Sequence, residues 1–241
     1  MKKKNHEFHI DHNVKPSHIE PIISLLNSKD YVNKKVLYHA LENSGHYIHL
    51  RHFNKNISIY RKLKIIEGNN ESIKLTDSGY CLKYYLNFNK SVFYDLIHFL
   101  YFSTWDFTND DNILFSWSYK TICELLWERK PNRFSRKGLS SELLSLAQEE
   151  FNDREISISH EAITGCLNWL SELDPFFIIN IRKNQIGNGR DSCSPELFLL
   201  AIYYLYKILR INIQSPILID DYKKVKITKL CLLKINAFNR M

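Results

Sequence analysis

Glycine and alanine are scarce in this sequence, with 7 glycines among 241 residues. No glycine-rich phosphate cradle is present: there is no Walker-type loop, no dinucleotide fingerprint and no G-x-S-x-G elbow. The five cysteines (Cys81, Cys123, Cys166, Cys193, Cys231) stand far apart, and no two form a C-x-x-C pair. A thiolate zinc site is therefore not suggested. The start, Met1-Lys2-Lys3-Lys4-Asn5-His6, runs into polar residues rather than an apolar signal core. With an odd number of cysteines, the expectation is a reduced, cytoplasmic setting. The longest apolar run, Leu197–Tyr206, is ten residues, against about twenty for a membrane span. It reads as a buried helix, so no membrane partner is expected. No cofactor is called for.

What is present is apolar surface and positive charge. Hydrophobic residues make up 44% and aromatics 13%, enough to bury a core and to exclude disorder through lack of apolar area. The length allows one large domain or two small ones. Lys, Asn, Ile and Tyr are abundant, as in proteins from AT-rich genomes, so a single Lys or Asn carries little information. The net charge of +7 is uneven: residues 1–100 hold 15 Lys+Arg against 9 Asp+Glu, and residues 101–241 hold 18 against 17. A basic half beside a neutral one suits either a polyanionic partner or a solvated surface.

The spacing predicts a mainly α fold with short β-hairpins. Residues 1–15 read as a polar basic arm. Ile19, Ile22, Ile23 and Leu26 mark a helix from Pro16 to about Asn27. A second helix is predicted over Asn33–Glu42, with Val36, Leu37, Ala40 and Leu41 inward, and a third within 50–63. Leu63–Ile66, Glu67-Gly68-Asn69-Asn70 and Ser72–Leu75 read as strand, turn, strand. Thr76 caps a further helix. Phe93, Leu96, Ile97, Leu100 and Tyr101 place an aromatic-rich helix between the halves, and 108–112 reads as the boundary turn. The second half repeats the order: helices over 116–129, 139–151 and 160–173 (the last capped by Ser159), a strand at 176–181, a hairpin turn at Gly187-Asn188-Gly189, the helix 196–209 and a last helix over 227–235. Two winged-helix-like modules, 16–107 and 113–241, are thus expected to pack through the aromatic middle.

Leu75-Thr76-Asp77-Ser78-Gly79 resembles the L-T-x-x-G phrase that follows the wing in many bacterial winged-helix proteins. In outline the chain also resembles a bacterial tandem winged-helix family carried in phage-defence and DNA-modification islands, often beside phosphorothioation systems. Members carry a G-K-N phrase at the start of the recognition helix, then an apolar turn. Here Asn54-Lys55-Asn56 precedes Ile57, Ile59, Leu63, Ile65 and Ile66, with Asn54 in place of the glycine. Ser194-Pro195-Glu196 through Leu205, followed by Pro216 to Asp220, is similar to the family's last third. The resemblance implies a DNA-associated accessory protein rather than the enzyme of its system.

On a helix, Phe53, Ile57 and Tyr60 share one face, leaving Arg51, Asn54, Lys55, Asn56, Ser58, Arg61 and Lys62 as candidates to contact double-stranded DNA. Lys64 and Lys74 fall on the predicted wing strands. A second candidate is the acid-free basic loop with Arg129, Lys130, Arg133, Arg136 and Lys137. Two H-x-x-H-x-x-H runs (His6, His9, His12; His46, His49, His52) have metal-like spacing, but the first lies in the polar arm and the second lacks a nearby Cys or a clear carboxylate partner. Asp221-Tyr222-Lys223 faintly resembles the end of a nuclease core, without an earlier strand to supply the second acid. The expectation is a non-catalytic DNA-binding accessory or regulatory protein. The alternatives are an adaptor holding a larger defence complex together and, remotely, a metal-dependent nuclease.

Overall fold

The computed structural model describes residues 8, 10, 14–108, 110, 113–152, 156–158 and 160–240. The chain is mainly helical with two small antiparallel sheets. The first half runs α1 (Pro16–Leu25), β1 (Val32–Asn33), α2 (Lys34–Asn43), α3 (Leu50–Lys62), β2 (Ile66–Gly68), β3 (Ser72–Leu75) and α4 (Asp77–Phe88). The strands form one sheet in the order β1-β3-β2, with Val32 opposite Ile73 and Ile66 opposite Leu75. Between the halves lies α5 (Lys90–Thr108). The second half runs α6 (Leu114–Arg129), α7 (Arg136–Glu150), α8 (His160–Leu170), the hairpin β4 (Ile178–Asn180) and β5 (Gln185–Ile186), α9 (Pro195–Ile208), α10 (Asp221–Leu230) and a closing 3-10 helix, Ile235–Arg240.

The element starts follow from local chemistry. Pro16 occupies the first turn of α1, where its missing N–H has no helical acceptor to lose. Asn33, Ser135, Ser194 and Asp220 cap α2, α7, α9 and α10 by accepting a backbone N–H. Thr76 does the same for α4 through Gly79 N, while its hydroxyl donates to Lys64 O. Gly79 packs so closely on the hairpin that a Cβ there would sit 2.0 Å from Ile65 O. The sequence phrase around Thr76 is therefore a weld between hairpin and helix.

α5 is the centre of the molecule. It packs on α4 from the first half and on α6 and α9 from the second. Val92, Phe93, Ile97, Tyr101 and Phe102 are buried on α5, and the apolar cluster around it runs from Phe8 to Ala237. Asp95 on α5 meets Arg190 at 2.8 Å, and both side chains are fully buried. Arg190 also donates to Asp174 O at 2.6 Å and Pro175 O at 3.1 Å, and Asp95 accepts Ser194 N at the start of α9. One helical turn along, His98 Nε2 meets Leu230 O at 2.7 Å and Nδ1 meets Tyr119 Oη at 2.8 Å. A carbonyl only accepts, so Nε2 carries the proton and Nδ1 accepts from the tyrosine.

Four expectations need correction. The predicted polar arm is partly an apolar strap: Phe8, Ile10 and Val14 are buried. Phe8 packs edge-on to Trp117 and Phe151, Trp169 Nε1 donates to Val14 O, and Gly165 makes room in α8 for Ile10 O, 2.3 Å from where a Cβ would stand. Val36, expected inward, is 61% exposed, because α2 turns Leu37 and Leu41 to the core instead. Gly187-Asn188-Gly189 is not the hairpin turn, since β4 and β5 are joined by 181–184. Gly189, at φ 94°, lets residues 233–234 approach, with Lys234 N 2.9 Å from its absent Cβ. The last helix starts earlier than expected, at Asp221. Most of the boundary turn (Asn109, Asp111, Asn112) and the cap Ser159 lie outside the described residues.

Two outcomes are expected. Arg190→Met strands the Asp95 charge in the core and should cost about 3–5 kcal/mol. In urea unfolding, the double variant D95N/R190M should be less destabilised than R190M alone, because no charge is left buried. The second outcome concerns pH. Burial pulls the His98 imidazole down to about 4, with Arg190 adding to the depression and the Leu230 carbonyl and Asp95 opposing it. The unfolded chain binds this proton near pH 6.5, so His98 contributes stability above that pH and loses it as pH falls from 6.5 through 4. The loss should be on the order of 3 kcal/mol. Unfolding midpoints measured across that window should fall less steeply for H98N than for the wild type.

Candidate nucleic-acid interface

α3 separates apolar from polar residues more sharply than the other described helices. Phe53, Asn56, Ile57, Ile59 and Tyr60 are buried, Phe53 lying edge-on to Tyr38 of α2 with centroids 5.4 Å apart. His49 caps the helix by accepting Arg51 N at 3.2 Å. On the outer side Arg51, Asn54 and Ser58 are exposed and Lys55 half-exposed. With His49 and Leu50 they line one shallow depression. The 13 residues of α3 include four cations and no carboxylate, and its surface gathers hydrogen-bonding side chains of the kind that meet base edges and phosphates.

The other predicted contacts of this region are placed differently. Asn56 is fully buried: its amide donates to His52 O and lies 3.3 Å from His18 Nδ1, and its oxygen accepts the Tyr60 hydroxyl. It is a core residue, not a reading one. Arg61 reaches the hairpin turn, donating to Asn69 O. Lys62 is half-buried, its ammonium 5.9 Å from the centre of the Phe115 ring on α6. Lys74 pairs with Glu67 at 3.2 Å and sits over the Tyr31 ring. Lys64 is exposed, at φ 57° where α3 turns into the hairpin. The hairpin itself exposes Glu67 and Glu71, which repel a phosphate chain. The basic character of the region therefore belongs to α3 and to Lys34 and Lys35 at the start of α2. Lys34 is held below the ordinary lysine range by partial burial and by the nearby Arg61.

The basic loop largely turns inward. Arg129 pairs with Glu142. Lys130 donates to Leu233 O at 3.0 Å and stands 3.5 Å over the Trp127 ring, with burial pulling its ammonium down to about 8. Arg136 is held by Asn184 Oδ1, Thr164 Oγ1 and Ile181 O. Arg133 and Lys137 are the exposed cations of this loop. It is mainly a brace between α6, α7 and the β4–β5 hairpin.

His6, His9 and His12 lie outside the described residues. In the second run the His49 and His52 rings lie 5.4 Å apart, and among the described residues no group of three potential ligands gathers around one point. Asp221-Tyr222-Lys223 opens α10 behind the cap Asp220 rather than ending a strand, so the nuclease-like arrangement is not formed there. No described helix is long and apolar enough to cross a membrane. A cleft of about 540 Å³ lies beside α1 and the start of α5, where Glu20 pairs with Lys90 at 2.7 Å and accepts the Tyr94 hydroxyl. Sequence reasoning passes over Leu50 and Tyr47, which are 52% and 87% exposed in the first turn of α3 and just before it. Their positions beside the helix N-terminus are the only signal the sequence carries for them.

Asn56→Ala should leave the Tyr60 hydroxyl unpaired in the core and cost about 1–3 kcal/mol. Asn54→Ala, on the exposed face, should change stability by no more than about 0.5 kcal/mol. Urea midpoints of the two variants compare the inner and outer faces directly.

No protein-family model, no curated protein and no solved structure matches this chain.

Proposed function

We propose that this chain is a non-catalytic protein that binds double-stranded DNA, with α2 and α3 as a helix-turn-helix and β2–β3 as a short wing. The observation that carries this reading is the outer face of α3, with Arg51, Asn54, Lys55 and Ser58 on a helix without any carboxylate. The element order helix, strand, helix, helix, hairpin and the strand order β1-β3-β2 agree with a winged helix. In such folds the second helix of the pair enters the major groove. The charge surplus of the first hundred residues supports a polyanionic partner. The second half repeats three helices and a hairpin and serves as a second winged-helix-like unit or as a support. The sequence resemblance to a defence and DNA-modification family supports reading the protein as an accessory or regulatory component acting in the cytoplasm.

A second reading, as an adaptor between proteins, is favoured by one observation. Tyr80, Tyr84 and Phe88 form an exposed row along α4, and aromatic residues of this kind anchor protein interfaces.

The test is a salt titration of binding to duplex DNA. Affinity should fall with salt. Arg51→Ala with Lys55→Ala should weaken binding and flatten the plot of log K against log salt by about two units, one for each phosphate left without its cation. The double variant should bind unrelated sequences less tightly too, because phosphates are common to all of them. An unchanged slope, with unfolding midpoints intact, would remove α3 from the interface.

A further inference from the structure

The exposed face of α3 is not uniformly polar. Leu50 is 52% exposed in the first turn, and Tyr47, three residues before it, is 87% exposed. Leu50 and Asn54 lie four residues apart, one turn along the same face, and both line the depression that also holds Arg51, Lys55 and Ser58. A large aliphatic side chain left in water among cations and amides needs an apolar counterpart in whatever docks on this surface.

The DNA major groove offers one apolar feature, the C5-methyl group of thymine. An asparagine amide matches the N6–H and N7 pair of adenine, which is the partner of thymine. The usual reader of cytosine is a carboxylate that accepts from N4, and α3 has none. Arg51 and Lys55 serve a phosphate as well as a guanine and are indifferent to the choice. From this juxtaposition we infer that the α3 face selects A·T pairs, with Leu50 covering a thymine methyl and Asn54 pairing with adenine one turn along. The inference rests on the DNA-binding reading above and adds to it a base class and two reading residues.

A protein docked on the same apolar residues would be blind to a single methyl group in DNA, so the experiment removes that methyl. The full chain is titrated with three short duplexes of equal length: one of A·T pairs only, the same duplex with uracil for every thymine, and one of G·C pairs. The wild type should bind the thymine duplex more tightly than the uracil duplex by about fourfold for each methyl covered, the factor that corresponds to about 0.8 kcal/mol per buried carbon. Leu50→Ala should lose about that factor on the thymine duplex and little on the uracil duplex, a coupling that general changes in duplex shape do not produce. Asn54→Ala should cut the preference for A·T over G·C down to the part carried by the thymine methyl, so that the uracil duplex loses its advantage over the G·C duplex. Because Leu50 is half-exposed, its substitution should leave the unfolding midpoint in place. Equal wild-type affinity for the thymine and uracil duplexes, or an equal loss on both in L50A, overturns the inference while leaving DNA binding standing. Absence of binding to all three duplexes overturns the proposed function together with it.

Discussion

The buried pair between Asp95 and Arg190 holds the fold's separate parts in one arrangement. A lone charge in this core would be unfavourable by several kcal/mol, so each residue requires the other. The guanidinium also ties down the carbonyls of Asp174 and Pro175, and the carboxylate ties down the start of α9. The backbone of Arg190 joins the C-terminal segment, donating to Leu232 O and accepting from Lys234 N. Three stretches distant in sequence, 174–175, 190–194 and 232–234, are thereby fixed around α5. The candidate interface depends on this indirectly, through a chain of contacts: α3 meets α1 through Asn56 and His18, α1 packs on α4, and α4 packs on α5.

That dependence explains why a helix with so many polar residues is positioned at all. α3 keeps only one face for the core, and that face includes an amide, Asn56, whose partners are a histidine on α1 and a tyrosine a turn away. Arg61 fastens the hairpin turn at the far end. The outer surface is left to Arg51, Asn54, Lys55 and Ser58, held on a rigid element rather than a loop, which is the condition for a reading surface to keep its geometry. The acidic hairpin tip and the inward-turned basic loop narrow the candidate contact to α3 and its immediate neighbours.

Periodicity makes the helices legible, since Ile19, Ile22, Ile23 and Leu26 or Phe53, Ile57 and Tyr60 repeat at helical spacing and are buried as that spacing requires. The Thr76 cap is legible because its chemistry is local. Partnerships across the chain are not. Nothing near Lys130 announces that the Leu233 carbonyl, 103 residues away, will accept its hydrogen bond, nor does Arg136 reveal Asn184. A run of cations looks like a surface until its distant acceptors are known. Strand β1, two residues long, is too short for any period to register. The apolar strap at Phe8 and Ile10 is hidden by the charged and polar residues between which they stand. Asn56 escapes the sequence because an amide looks the same whether it faces water or a buried histidine.

The strap and the ion pair also impose an order on synthesis. Phe8, Ile10 and Val14 dock against α8 and its neighbours, so these residues find their place only after α8, about 155 residues later in the chain, has been made. Asp95 emerges 95 residues before Arg190, a wait of roughly 5 to 20 seconds at about 5–20 residues per second. Through that interval α5 carries an acid without its counter-ion and an apolar surface without its cover. The surroundings of α5 are thus complete only once residues 174–234 have been made.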